Sequence, residues 1–405
     1  MKIQLPQADC TLKTYKPKAK PIRPQGKVPV FNRTVYAAAH VVVDPLATID
    51  PWDGSPTIDW DSTLAFREHL WSLGFKVAEA MDTAQRGMGV DWPVARELIQ
   101  RSVRHARTVP GAGLACGVGT DQLNFGDYSL VDIEAAYREQ LGVVEAEGGQ
   151  AILMASRALA RCAKGPDDYL ALYGRLLRDT SQPVILHWLG EMFDPALRGY
   201  WGSTDLASAV DTVATLIRDN ADHIEGIKVS LLDAKWELDL RSRLPAGVKM
   251  YTGDDFNYAE LMGGDASGYS HGLLGIFDPI APVATVALGE LAAGNIARFR
   301  ELLDPTVALS REIFRSPTRH YKAGVVFLAW LNGHQTHFSM AGGAQSARGA
   351  VHFARVYELA DQCGVLAEPE LAGQRMRAYL SIACGLNSWF STIFTRNFTI
   401  TFKGD

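Results

Sequence analysis

The stretch Ile224-Glu-Gly-Ile-Lys-Val-Ser-Leu231 is an apolar, β-rich run with a lysine at its centre. Side chains alternate along a strand, so Glu225, Ile227 and Val229 share one face and Gly226, Lys228 and Ser230 the other. A face made of a glycine, a lysine and a serine suits the small, polar interior of a closed barrel better than either surface of an open sheet. An amine held there loses hydration and gives up its proton more readily, and the neutral amine is the form that attacks a carbonyl carbon. A lysine buried as the ion-pair partner of Glu79 or Asp255 is the structural alternative.

Seven further runs of this kind surround it, at residues 35–43, 76–81, 113–118, 150–155, 184–189, 248–251 and 268–274, with the quoted strand at 226–231. Amphipathic stretches at 61–73, 91–107, 132–147, 167–179 and 203–219 lie between them, several opening on a residue suited to an N-cap, as Ser129 and Ser203 do. Eight strands alternating with helices over about 250 residues is the count that a (β/α)8 barrel requires, whereas doubly wound sheets usually stop sooner. The barrel domain spans 34–283. Residues 1–33, with lysines set between Pro17, Pro21 and Pro24, form an N-terminal arm: a short hairpin with a lead-in, or a plug for the barrel bottom. Residues 284–387 carry helical patterns only and form a C-terminal helical domain, and 388–405 form a tail of unknown role, strand-like or irregular.

The chain has 405 residues, 47% hydrophobic and 21% charged, with a net charge of −5, which is ordinary globular composition. It offers no basic face for nucleic acid and no apolar run long enough for a bilayer. A small-molecule substrate and copies of the chain itself, as a dimer or tetramer, are the expected partners. The first residues lack the apolar core of a secretory signal, which points to the cytoplasm. Cys10, Cys116, Cys162, Cys363 and Cys384 show no paired spacing and read as buried thiols. Ala341-Gly-Gly-Ala-Gln345 lacks the lysine and preceding strand of a phosphate loop and reads as a turn between helices, and Phe327 with Trp330 as a packing interface.

Barrel chemistry resides at the C-terminal ends of the strands. Those ends supply His40 and Asp44, Glu79, Asp82, Thr83 and Gln85, Thr120 and Asp121, Ser156 and Arg157, His187 and Glu191, Lys228 and Asp233, Asp254 and Asp255, and finally Ser270 and His271. Asp254 and Asp255 either bind hydroxyls and orient the lysine or cap the next helix; His271 either faces substrate or packs under a loop. Ala115-Cys-Gly-Val-Gly119, Gly226-Ile-Lys228 and Thr252-Gly-Asp-Asp-Phe256, in this order at strand ends, resemble the dihydrodipicolinate synthase and N-acetylneuraminate lyase family over roughly residues 35–330.

That resemblance implies a barrel with a helical C-terminal region, a homo-oligomer, and Lys228 as the lysine that forms an imine with a carbonyl substrate. The family's loop after the second strand, Gly-Thr-Thr-Gly-Glu, corresponds to Met81-Asp-Thr-Ala-Gln85 and keeps only Thr83. Its fifth-strand tyrosine is replaced by His187 in Leu186-His-Trp-Leu-Gly190, and its carboxylate-holding arginine has no counterpart in Glu191-Met-Phe-Asp-Pro195. With Asp82 where the carboxylate cradle would be, a 2-keto acid fits poorly and a polyhydroxylated ketone or aldehyde fits better. The expected enzyme is therefore a class I aldolase or lyase. Lys228 and His187 are catalytic, His187 moving the proton in place of the tyrosine with an ordinary imidazole pKa of about 6.5, and Glu79, Asp82, Thr83, Asp254, Asp255 and His271 bind substrate. No organic cofactor is needed. Two other classes stand beside it: an isomerase or lyase using a divalent metal ion held by His40, Glu79, His187 and Asp255, and a non-catalytic barrel that binds a small molecule.

Overall fold

The computed structural model describes residues 2–47 and 55–386; the tail expected at 388–405 lies outside the described residues. A hairpin of β1 (Ile3–Pro6) and β2 (Leu12–Tyr15) opens the chain. Eight parallel strands follow: β3 (Val35–Ala38), β4 (Lys76–Glu79), β5 (Leu114–Val118), β6 (Gln150–Leu153), β7 (Val184–Leu189), β8 (Ile224–Ser230), β9 (Lys249–Thr252) and β10 (His271–Leu274). They pair in sequence order, and β10 closes onto β3, which makes a (β/α)8 barrel with added C-terminal helices.

Register puts His187 beside Lys228 and Lys228 beside Tyr251, so the three point the same way. Tyr36, Ala38, Ala78, Ala115, Ile152, Ile185, Tyr251 and Leu273 fill the barrel interior. The opposite parity faces the helices: Val77 joins the outer core and Glu79 meets Arg67 of α1 (Trp60–Ser72).

The other barrel helices are α2 (Trp92–Ala106), α3 (Leu130–Ala146), the short α4 (Arg157–Cys162), α5 (Pro166–Arg178), α6 (Leu206–Asp219), α7 (Ala234–Arg241), α8 (Tyr258–Gly263) and α9 (Phe277–Ala292). Side-chain caps start several of them. Asp59 accepts from Ser62, Asp91 from Val94, and Ser129 with Asp132 forms a reciprocal capping box. The cap of α6 is Asp205 rather than Ser203, because its carboxylate is the group that reaches the Ser208 amide.

Beyond the barrel lie α10 (Ile296–Ile313), α11 (Tyr321–Leu331), α12 (Ala350–Gln362) and α13 (Pro369–Cys384). Every residue of α11 is buried, with Phe327 and Trp330 in a cluster with Phe338, Phe353 and Tyr379. The hairpin packs on α12, where the Tyr15 hydroxyl donates to Asp361 at 2.7 Å, and the lead-in then passes under the barrel floor, with Phe31 against Phe75. Segment 341–347 is a 3-10 turn leading to α12, and Gly342 and Gly343 adopt the left-handed backbone it requires. Cys116 and Cys363 are buried, whereas Cys10 and Cys384 are exposed, contrary to the expectation of buried thiols throughout.

Candidate active site

Lys228 rises from β8 into a small chamber at the C-terminal mouth of the barrel. The lining includes Asp82, Thr83, Phe193, Asp255, Phe314 and Tyr321. Lys228 is 7% exposed, and among the described residues its ammonium makes no hydrogen bond or ion pair. Burial lowers its pKa from the ordinary lysine value, and Asp82 and Asp255 pull the other way without reversing the shift. Space for the side chain comes from β9's end, since a Cβ on Gly253 would lie 2.7 Å from the Lys228 Cε.

Asp255 enters the chamber two residues after Gly253. Its carboxylate accepts from the Ile276 amide at 3.0 Å, and burial pushes its pKa up to about 7. Asp82 and Thr83 begin a single 3-10 turn after β4. That turn is pinned from the C-terminal region by Gln85, whose amide exchanges two hydrogen bonds with the backbone of Ala341. Thr83 shares a 2.8 Å hydroxyl–hydroxyl hydrogen bond with Tyr321. The Tyr321 ring stacks on Phe314 at 4.3 Å, and burial holds the phenol well above its ordinary pKa, so it stays protonated.

His187 is buried beside Lys228, with Nε2 3.2 Å from the Ser230 hydroxyl and Nδ1 unpartnered. Burial, then the Lys228 charge, hold its pKa well below the usual imidazole value. A neutral imidazole at physiological pH replaces the expectation of a group titrating near 6.5. His187 lines a second, larger cavity of about 360 Å³ that runs outward over the ends of β4 to β7 and shares Asp82 and Leu189 with the chamber.

Four residues expected at the site are elsewhere. Glu79 has the wrong parity for the interior; Arg67 holds it through paired bonds of 2.8 and 2.9 Å, and its pKa is depressed. Asp254 is also on the outward parity, and its carboxylate accepts from the Phe256 and Asn257 amides, bracing the turn into α8. His271 begins β10, so it lies at the barrel floor, where Nδ1 accepts from the Thr34 amide at 2.8 Å. His40 is bonded to Asp278 at 2.7 Å. With His40 and Glu79 committed to those partners, His40, Glu79, His187 and Asp255 do not converge, and the described residues hold no group of three or more potential metal ligands.

Tyr321 and Phe314 were not expected, because they come from the helical region rather than a strand end. Their one sequence signal is the polar run Arg319-His320-Tyr321-Lys322 at the head of an otherwise apolar helix.

Over residues 3–385 the sequence matches the family described as "Protein of unknown function (DUF993)". No curated protein matches it. Among solved structures, the dihydrodipicolinate synthase from Thermotoga maritima is 14% identical with a TM-score of 0.61, covering 82% of this chain and 99% of that one. The enzyme of the same name from Bacillus clausii is 14% identical with a TM-score of 0.59, covering 81% and 97%. The one from Bacillus anthracis is 15% identical with a TM-score of 0.56, covering 73% and 88%. At these identities the likeness is one of fold.

Proposed function

The chain belongs to the DUF993 family, and from the chamber its barrel builds around Lys228 we propose that the protein is a Schiff-base-forming class I aldolase or lyase. One observation carries the reading: a lysine amine buried at a barrel mouth, with no hydrogen bond or ion pair among the described residues and a pKa lowered by burial. A structural lysine would be expected to sit against a carboxylate, as Arg67 sits against Glu79. The ordered strand-end motifs and the dihydrodipicolinate synthase-like fold support the same reading.

In the proposed mechanism the neutral Lys228 amine adds to a substrate ketone or aldehyde. The carbinolamine loses its oxygen as water after protonation, and the resulting protonated imine draws in the electrons of the adjacent carbon–carbon bond. Cleavage leaves an enamine, which takes a proton on carbon before water releases the product and regenerates the amine. Tyr321 and Thr83 form the relay that delivers the proton to the departing oxygen. Asp255, titrating near neutrality, exchanges protons with the relay and with substrate hydroxyls. His187, neutral and facing the outer cavity, directs the part of the substrate that leaves. Asp82 has no ion-pair partner among the described residues and accepts hydroxyls there; it disfavours a substrate carboxylate at the same place. A polyhydroxylated ketone or aldehyde is the proposed substrate.

The test is reduction with borohydride in the presence of dihydroxyacetone, pyruvate and short sugars, followed by peptide mapping. A reduced adduct on Lys228, absent in Lys228→Ala, is the expected result. No adduct with any carbonyl compound, together with activity lost to a chelator, would transfer the reading to a metal-dependent enzyme.

A further inference from the structure

The outer cavity leads from the Lys228 chamber to the rim between β6 and β7, and its wall contains three arginines. They are not equivalent. Arg86 is buried and fully engaged, with Nε and Nη2 on Asp121 at 3.0 and 2.7 Å and Nη1 on the Gly117 carbonyl at 2.6 Å. It ties the ends of β4 and β5 together and has little left to offer a ligand.

Arg157 is different. Asp194 takes only its Nε, which fixes the direction of the guanidinium and leaves Nη1 and Nη2 without a partner among the described residues. Nη1 lies beside Gly87 of the cavity wall, 3.4 Å from where a Cβ on that glycine would be. Arg161, one helical turn further along α4, lies on the same face and has no ion pair among the described residues; its guanidinium rests 3.4 Å above the Phe125 ring. Near them, Lys322 is 5% exposed; its ammonium donates to the Arg319 carbonyl, touches the Met88 sulfur and lies 4.7 Å from the centre of the Tyr321 ring, with no ion pair among the described residues. Burial brings its pKa down to about 8, with Arg157 lowering it further while Asp82 and Asp194 oppose.

We propose that this end of the cavity is an oxyanion subsite, in which the free Nη groups of Arg157 together with Arg161 hold the terminal phosphate of a phosphorylated hydroxy-ketone or hydroxy-aldehyde whose carbonyl reaches Lys228. The inference rests on the imine reading for what the other end of the substrate does, and on its own residues for the phosphate. A dianion calls for more than one cation. Two guanidinium forks, one oriented by Asp194 and one resting on Phe125 without an ion pair among the described residues, with the buried Lys322 ammonium nearby, match a phosphate better than a single carboxylate, which one arginine would satisfy. The cavity volume of about 360 Å³ lies within the range of small-ligand pockets, roughly 300–1,000 Å³. Asp82 then belongs to the hydroxylated middle of the substrate, and the charge runs from acceptor to donor along its length.

Two measurements test this, so that failure of the subsite and failure of the imine can be told apart. In the first, borohydride trapping compares dihydroxyacetone with dihydroxyacetone phosphate. The phosphate ester should label Lys228 at a concentration at least tenfold lower, and Arg157→Gln and Arg161→Gln should each erase most of that advantage while dihydroxyacetone itself still labels. Equal half-saturation of the two ketones in the wild type, or an advantage untouched by both substitutions, overturns the subsite and leaves the imine standing. In the second, calorimetry follows binding of glycerol 3-phosphate and glycerate to the wild-type protein and to both variants, with melting curves confirming that the variants fold. Glycerol 3-phosphate should bind, at least tenfold more weakly in each variant, and should outbind glycerate. If neither ketone labels Lys228, calorimetry alone decides the subsite. Absence of arginine-dependent binding, or an equal preference for glycerate, overturns the phosphate assignment.

Discussion

Lys228 and Tyr321 meet in one chamber although one lies on a central strand and the other on a helix far along the chain. This is why one was legible in the sequence and the other was not. Strand parity alone turns Lys228 inward, with Gly226 and Ser230 as small neighbours. The same parity, applied to β4 and to the turn after β9, would have removed Glu79 and Asp254 from the candidate site and kept Asp255. Tyr321 depends on tertiary packing that no local pattern encodes. Its proposed role makes a specific prediction. Tyr321→Phe keeps the ring stacked on Phe314 but deletes the hydroxyl 2.8 Å from Thr83. The rate of imine formation, followed by rapid-quench borohydride trapping, should fall about 100-fold, at the lower end of general acid–base effects. The melting temperature should change little, since one hydrogen bond is worth about 1 kcal/mol. An unchanged trapping rate would make Tyr321 a packing residue only.

At the scale of elements, the alternation of strands and helices was readable because each barrel strand is a short apolar run between polar punctuation, and the observed strands fall within or beside the expected ones. The boundaries were less so. Placing the eighth strand a few residues early put His271 at the wrong end of the barrel, whereas β10 begins with it. The packing of α7 against β9 and β10 carries its own chemistry. Glu237 of α7 is buried, accepts from the Ser270 hydroxyl at 2.6 Å and lies close to Thr252 and Asp254. Burial raises its pKa to about 8. Below the ordinary carboxylate value, folded and unfolded chains both hold the proton and the residue is neutral toward stability. As pH rises past that value, the unfolded chain releases its proton and the folded one does not, so stability declines until pH passes about 8 and the loss is complete. Glu237→Gln, which keeps a neutral group of the same shape, should remove this loss. The variant and wild type should melt alike near pH 4 and diverge toward pH 8, with the variant more stable by on the order of 4–5 kcal/mol at 1.36 kcal/mol per pKa unit. Melting curves that stay parallel across this range would show that Glu237 is ionised in the folded chain.

In the whole molecule, the helical region does more than follow the barrel. One continuous core contains Val35 and Val77 of the barrel, Val325 and Phe327 of α11, Phe353 of α12, and Ile3 and Leu5 of the hairpin. The hairpin is fastened to α12 by Tyr15 on Asp361 and by Lys13 on Glu358. In turn α12 packs on α10 and α11, and the start of α11 delivers Tyr321 to the mouth. The described chain should therefore unfold as one unit, even though its sequence separates into an arm, a barrel pattern and a helical pattern. Leu5 is fully buried, and Leu5→Ala should cost about 2–4 kcal/mol through lost apolar contact and the cavity left behind. Its position in the hairpin, outside the barrel strands, makes it a probe of coupling. Differential scanning calorimetry of the variant should show a single peak moved to lower temperature, with calorimetric and van't Hoff enthalpies equal. The near-ultraviolet signal of the barrel's aromatic residues should disappear in the same transition. If the peak instead splits, and only the earlier component moves with Leu5→Ala while the barrel melts at its original temperature, the hairpin and helices form a separate cooperative unit. The chamber would then lose its Tyr321 wall before the barrel that holds Lys228 opens.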